Sequence, residues 1–124
     1  MSENKPYLLC VDDDLLNLEL MVDFLEEDHE LKCVENGQEC LDAVAERKPD
    51  LILLDLMMPV MDGRECCKIL KQTPGVTNIP IIILSAQSYE EDMREMFEMG
   101  VDSYITKPFS EKRLRKVIGD YLSA

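Results

Sequence analysis

Residues 50–63 read Asp50-Leu-Ile-Leu-Leu-Asp55-Leu-Met-Met-Pro59-Val-Met-Asp62-Gly63. The apolar run Leu51 to Leu54 stops on one acid, Asp55, and a Pro-x-x-x-Gly loop follows from Pro59 to Gly63. A run this short, rich in Leu and Ile and free of turn residues, reads as a strand buried on both faces of a parallel sheet. A carboxylate at the end of such a strand is costly unless it is paired, hydrated or bound to a metal. The surroundings of Asp55 therefore decide what the chain does.

On either side, the same grammar repeats. Tyr7 to Val11 is an apolar run ending at Asp12, Asp13 and Asp14, and helical spacing follows from Leu15 to about Glu27. Leu31 to Val34 ends at Glu35. Asn36-Gly37 then opens a helix to about Arg47, with Asn36 as cap and Glu39 reaching back. Gly63 leads into a helix to about Gln72, and Thr73 to Pro80 is loop. Ile81 to Leu84 ends at Ser85. Ser88-x-x-Glu91 forms a capping box for a helix to Met99, with Gly100 just past its end. Ser103 to Thr106 ends at Lys107-Pro108, and Ser110 caps a last helix reaching Leu122. Strand and helix alternate five times, which predicts an α/β fold: an open, doubly wound, five-stranded parallel sheet with helices on both faces.

The chain has 124 residues and a formal net charge of −13, with 46% hydrophobic and 31% charged residues. That length supports one domain with a real core. The expected organisation is a single domain over 1–124, core about 6–122, with no output domain attached. The acidic balance argues against direct nucleic-acid binding, which needs a basic face. No signal peptide or membrane-length apolar run is present, so the expected location is cytoplasmic, with no membrane partner. The five cysteines, Cys10, Cys33, Cys40, Cys66 and Cys67, have no metal-ligand spacing with His29 and read as reduced, buried thiols. His29 reads as a surface residue.

Parallel strands end on one edge of their sheet, and ligand sites lie outside those carboxyl ends. The residues there are Asp12 and Asp13, Glu35, Asp55, Ser85 and Lys107. With the second strand at the edge, Glu35 is remote and the other four ends converge. At ~4 Å each carboxylate pair costs roughly 1 to 4 kcal/mol, depending on the effective dielectric. A hard divalent cation resolves that repulsion: Mg²⁺ in a cell, with Mn²⁺ able to substitute. Ser85 and Lys107 add a donor and a countercharge for a phosphoryl group, so Asp55 can serve as the nucleophile that becomes an aspartyl phosphate.

Four stretches, VDDD at 11–14, LILLDLMMPVMDG at 51–63, IIILSA at 81–86 and DSYITKPF at 102–109, together resemble the receiver domain of two-component response regulators. The resemblance covers Tyr7 to about Leu122, and in size the chain is similar to single-domain chemotaxis and sporulation-relay regulators. It implies a flavodoxin-like sheet in the order 2-1-3-4-5. It implies Asp55 as phosphoacceptor and Mg²⁺ held by Asp13, Asp55 and the Met57 backbone carbonyl, with Asp12 acting mostly through metal-bound water. It implies that Ser85 and Lys107 contact the phosphoryl group, that the Lys107-Pro108 bond is cis, and that the Tyr104 ring moves inward when Ser85 is drawn to the phosphate. Met57 and Gln87 match positions that tune hydrolysis.

The same resemblance implies a phosphohistidine donor, either a sensor histidine kinase or a histidine phosphotransfer protein. A downstream protein would read the surface of the fourth helix, fifth strand and fifth helix. Such a regulator catalyses its own phosphorylation and dephosphorylation without being a turnover enzyme. The family's phasing puts Leu20, Met21 and Phe24 of the first helix on the core. Leu15, Leu18 and Val22 then form a stripe that either docks the phosphodonor or packs under neighbouring loops. In the fourth helix Met93, Met96 and Phe97 read as core, and the glutamates as a solvated face. The fifth carries the basic residues Lys112, Arg113, Arg115 and Lys116. Two other readings compete. Asp12-x-Asp14 superficially matches the nucleophile pattern of haloacid-dehalogenase phosphatases, which are also Mg²⁺-dependent. A phosphorylation-independent interaction module is the other.

Overall fold

The computed structural model describes residues 5–56, 58, 61–86 and 89–122. Ten elements alternate without exception: β1 (Tyr7–Val11), α1 (Leu15–Leu25), β2 (Glu30–Val34), α2 (Gly37–Glu46), β3 (Leu51–Asp55), α3 (Gly63–Gln72), β4 (Ile81–Ser85), α4 (Glu90–Met99), β5 (Ser103–Thr106) and α5 (Glu111–Leu122). The strands form one parallel sheet in the order β2-β1-β3-β4-β5. This is the doubly wound, flavodoxin-like fold, with its order reversing beside β1 and β3.

Alternation along each strand sends side chains to two cores. Leu9, Val11, Ile52, Leu54, Ile81, Ile83 and Tyr104 face one way and pack with Cys40, Ala43 and Val44 of α2, Cys66, Cys67 and Leu70 of α3, and Met96 of α4. Leu8, Cys10, Leu51, Leu53, Ile82, Leu84 and Ile105 face the other way and meet Leu18, Met21 and Leu25 of α1 with Leu114, Val117 and Ile118 of α5. Because both faces are covered, the central strands are apolar throughout rather than alternating. The edge strand β2 is the exception: of its five residues only Val34 is buried.

Side chains cap the starts of most helices. Asp14 accepts from the Leu16 N–H at 3.0 Å, Asp62 from Glu65 at 3.0 Å and Ser110 Oγ from Arg113 at 3.0 Å. Asn36 accepts from Glu39 at 2.9 Å. Glu39 in turn reaches back to the N–H of Glu35 at 2.8 Å, one residue before the cap. The Ser88 cap of α4 lies outside the described residues. Tyr89 stands at the N-cap position without a side-chain bond, and Glu90, Glu91 and Asp92 oppose the positive helix end instead. Gly100 ends α4 in the left-handed region at φ 111°, as its position predicts.

Packing overturns several expectations. Leu18, placed in a surface stripe, is buried with Met21 and Leu25, whereas Leu20, placed in the core, is 42% exposed. At 3.6 residues per turn, positions 18, 21 and 25 share a face and position 20 lies roughly 200° from residue 18. Phe24 is only partly buried and meets Phe109 edge-on, with ring centroids 6.2 Å apart. In α4, Met96 takes the core position and Phe97 is 45% exposed. His29 is not a surface residue: its side chain is 11% exposed and its Nδ1 lies 3.0 Å from the Leu25 carbonyl. Cys33 is exposed, unlike the other four cysteines, because it lies on the poorly covered edge strand. Leu18→Ala is expected to cost about 2–5 kcal/mol in urea unfolding, against within about 0.5 kcal/mol for Leu20→Ala.

Candidate functional site

Each candidate side chain leaves the carboxyl end of a strand. Asp12 follows β1 directly, its N–H donating to the Val34 carbonyl at 3.1 Å. Asp55 is the last residue of β3 and Ser85 the last of β4. Lys107 follows β5, its N–H donating to the Ser85 carbonyl at 2.7 Å. The Lys107-Pro108 bond is cis. Since β1, β3 and β4 are neighbours and β5 flanks β4, these ends share one edge. Glu35, at the end of edge strand β2, is exposed and stays out of the group, as expected.

The acids are close-set and largely withdrawn from water. Oxygens of Asp12, Asp13 and Asp55 all lie within 4.8 Å of one another. Asp12 and Ser85 are fully buried, Asp55 is 4% exposed, and Asp13 faces solvent. Asp12 uses both oxygens: Oδ1 accepts from the Asp14 N–H at 2.9 Å, and Oδ2 accepts from Lys107 Nζ at 2.9 Å. The same ammonium lies 3.3 Å from Asp55 Oδ1. Burial works against the Lys107 charge, but the bond to Asp12 and the charges of Asp55 and Asp12 outweigh it, so its pKa rises above the ordinary lysine value.

Formally, three carboxylates face one ammonium. The donor set is oxygen only, with no imidazole or thiolate among the three, which fits a hard divalent cation such as Mg²⁺. Met57, whose carbonyl the resemblance adds to that set, lies outside the described residues, as does Gln87. The crevice above the acids is lined by Asp12, Asp13, Asp14, Asn17, Asp55, Ala86 and Lys107. Its volume of about 520 Å³ exceeds by far the ~30 Å³ of one water, leaving room for a hydrated ion and a phosphoryl group. Sequence reasoning assigned no role to Asn17 or Ala86. Asn17 stands three residues after Asp14 and donates to it at 3.4 Å, a spacing that places it on the same side of the first helical turn. Ala86 follows Ser85 directly.

Two helices are fastened to the Asp55 end of the sheet. The Gly63 N–H donates to the Leu56 carbonyl at 2.9 Å. A Cβ on Gly63 would sit 2.5 Å from the Asp55 carbonyl oxygen and 2.8 Å from the Leu56 Cα. On the same face of the sheet, the Gly37 N–H at the start of α2 donates to the Met61 carbonyl at 3.2 Å. Arg64, the next residue of α3, holds Asp92 and Glu95 of α4, the latter at 2.7 Å. The glutamate face of α4 is therefore partly engaged rather than simply solvated, which the sequence did not indicate.

Of the surface candidates, Leu15 and Val22 do line a groove beside the crevice, together with Leu16, Leu20, Cys33 and Glu35. Leu15 and Leu16 are 60% and 69% exposed, so the open apolar surface of α1 is centred on these two and Leu20, not on Leu18. Tyr104, register partner of Ile83, is buried in the core that α4 also lines.

The family model for the response regulator receiver domain matches residues 8–119. The sensor protein GacS of Pseudomonas syringae pv. syringae is 36% identical over 122 residues, covering 95% of this chain and 14% of that protein. The DNA-binding response regulator MtrA of Mycobacterium bovis is 38% identical over 115 residues, covering 92% of this chain and 49% of that protein. This chain thus spans a small part of one relative and about half of the other. The crystal structure of the signal receiver domain of a signal transduction histidine kinase from Syntrophus aciditrophicus is 34% identical, with a TM-score of 0.88, covering 95% of this chain and 90% of that one.

Proposed function

This chain belongs to the response regulator receiver domain family of two-component signalling, and from that membership we propose that it is a switch thrown by phosphorylation of Asp55. The observation that carries the proposal is the position of Asp55: nearly buried at a strand end, within 4.8 Å of two other carboxylates and 3.3 Å from a lysine ammonium. Asp12, Asp13 and Asp55 would hold Mg²⁺, or Mn²⁺ in its place, with the Met57 carbonyl. The bound ion supplies positive charge against the acids and the incoming phosphoryl oxygens.

The chain's own residues do the rest. Burial beside Lys107 orients the Asp55 carboxylate for attack on the phosphorus of a phosphohistidine. Lys107 is placed to meet a phosphoryl oxygen, and the Ser85 hydroxyl at the adjoining strand end to donate to another. The product carries roughly two negative charges where the carboxylate carried one, with three phosphoryl oxygens as new acceptors. Drawing Ser85 and Lys107 toward it favours the Tyr104 ring in the buried position, and the surface of α4, β5 and α5 follows. Phosphorylation thus biases two existing states, and full switching requires about 5.5 kcal/mol of differential stabilisation. No separate substrate turns over; the chemistry acts on the chain itself.

The donor is a sensor histidine kinase or a histidine phosphotransfer protein, and a downstream protein reads the α4, β5, α5 surface. With a net charge of −13 the chain makes no direct contact with nucleic acid. Among the described residues no helix is long and apolar enough to cross a membrane, and the proposed setting is the cytoplasm. A phosphatase of the haloacid-dehalogenase type has little support: both Asp12 oxygens are engaged, and Asp14 caps α1.

The test is labelling of the wild-type chain with acetyl phosphate, followed by mass spectrometry of the modified peptide. Mg²⁺-dependent label on Asp55 is the expected result; label on Asp12 would support the phosphatase. No label at all would support a phosphorylation-independent interaction module. The exposed leucines of α1 are the proposed docking surface for the donor helix. Leu16→Glu should fold normally and accept phosphate from acetyl phosphate at the wild-type rate, yet lose about tenfold or more in transfer from a phosphohistidine protein. Equal loss from both donors, or loss from neither, would remove the docking role.

A further inference from the structure

Outside the crevice, one pair of nucleophilic side chains stands in a defined arrangement. Cys10 of β1 and Cys33 of β2 are register partners on adjacent parallel strands. Neighbouring strands lie about 4.8 Å apart, inside the roughly 4.4–6.8 Å between Cα atoms that a disulfide spans. Partners in a parallel ladder point to the same side of the sheet, here the side covered by α1. As register partners on one side of the sheet, the two thiols are direct neighbours. Their access to solvent differs completely: Cys10 is fully buried, while Cys33 is exposed and lines the groove beside α1.

We propose that Cys33 and Cys10 form a peroxide-oxidisable dithiol, with Cys33 as the attacking thiol and Cys10 as the resolving one. The proposal is independent of the phosphoryl chemistry at Asp55. Hydrogen peroxide, or another hydroperoxide, is the oxidant. The Cys33 thiolate attacks one peroxide oxygen; an S–O bond forms, the O–O bond breaks, and hydroxide leaves. Cys33 is then a sulfenic acid. The Cys10 sulfur attacks the Cys33 sulfur; the S–S bond forms, the S–O bond breaks, and the departing oxygen leaves as water with the Cys10 proton. Both sulfurs are oxidised by one electron each, and the peroxide is reduced by two. The thiol environment agrees with this order: the Cys33 pKa is held down at about 7, because the neighbouring Cys10 thiol favours its thiolate more than partial burial disfavours it.

The other cysteines make a built-in control. Cys40, Cys66 and Cys67 are all buried, so none offers peroxide an exposed thiol. The experiment treats the folded, reduced chain with hydrogen peroxide, quenches, alkylates in denaturant and maps peptides without reduction. The expected product is a monomer in which Cys10 and Cys33 are joined, Cys40, Cys66 and Cys67 carry alkyl groups, and dithiothreitol restores the dithiol. Cys33→Ser, a change on the exposed edge strand, should leave Cys10 unoxidised under the same treatment. Any of three results would overturn the proposal. These are an intermolecular Cys33–Cys33 dimer, Cys33 oxidised to sulfenic or sulfinic acid with Cys10 still free, or Cys10 lost equally fast in Cys33→Ser.

Discussion

Asp55→Asn is expected to abolish Mg²⁺-dependent incorporation of phosphoryl from acetyl phosphate. The amide oxygen is a poor nucleophile at neutral pH, and neither other acid at the site is placed as Asp55 is. Asp12 has one oxygen on the Asp14 N–H and the other on Lys107, and Asp13 faces solvent. The same substitution has a second, independent readout. At ~4.8 Å two unit charges repel by roughly 1 to 3.5 kcal/mol at effective dielectrics of 80 to 20. Asp55→Asn removes two such repulsions and one attraction to Lys107. Without divalent ions the variant should therefore be more stable than wild type, by about 1 kcal/mol in urea unfolding. Adding Mg²⁺ should reverse the order, since an ion that binds only the folded state stabilises it by mass action, and the variant has lost a ligand. Label retained on the variant would defeat the assignment of Asp55. Equal Mg²⁺ stabilisation of both proteins would defeat its role in holding the ion.

Gly63→Ala is expected to cost about 3 kcal/mol, lowering the melting temperature by roughly 10 °C. The new methyl would meet the Asp55 carbonyl oxygen at 2.5 Å and the Leu56 Cα at 2.8 Å. Both are backbone atoms of the segment that carries Asp55, so neither can rotate aside. The strand end or the start of α3 must move. Labelling by acetyl phosphate should fall along with stability, because Asp55 shifts relative to Lys107. Gly119→Ala in α5 is the matched control. No atom lies within 4 Å of its Cβ position, and helix propensity alone should raise stability by about 0.5–1 kcal/mol. Thermal unfolding followed by circular dichroism separates the two. A wild-type melting temperature for Gly63→Ala would show that α3 does not need this close approach.

Much of the site was readable from the chain because strand ends are marked so plainly. Leu51 to Leu54 and Ile81 to Leu84 are apolar throughout, since each is covered on both faces. The first polar residue after each run therefore marks the carboxyl edge. That logic brought Asp12, Asp55, Ser85 and Lys107 together and left Glu35 aside. It failed on α1. Leucine, methionine, valine or phenylalanine occupies positions 15, 16, 18, 20, 21, 22, 24 and 25, so apolar residues surround the helix and their spacing selects no face. Met96 and Phe97 pose the same difficulty in α4, where neighbours of equal hydrophobicity compete for one core position. Arg64 carries no sequence sign of its hold on α4, because its partners Asp92 and Glu95 lie about 30 residues away.

The amino-acid sequence alone determined the alternating α/β order, the parallel sheet and the set of residues at its carboxyl edge. Those follow from local periodicity and from where apolar runs stop. Only the tertiary structure decided which side of α1 is buried, that Tyr104 is buried and that exposed Cys33 stands beside buried Cys10. It also decided that Gly63 is pressed against the backbone of Asp55. Each of these depends on what packs across from the residue, and a neighbour distant in the chain leaves no mark on local spacing. Asp55 combines the two: its place at a strand end is local, but its company of Asp12, Asp13 and Lys107 exists only once the strands lie side by side.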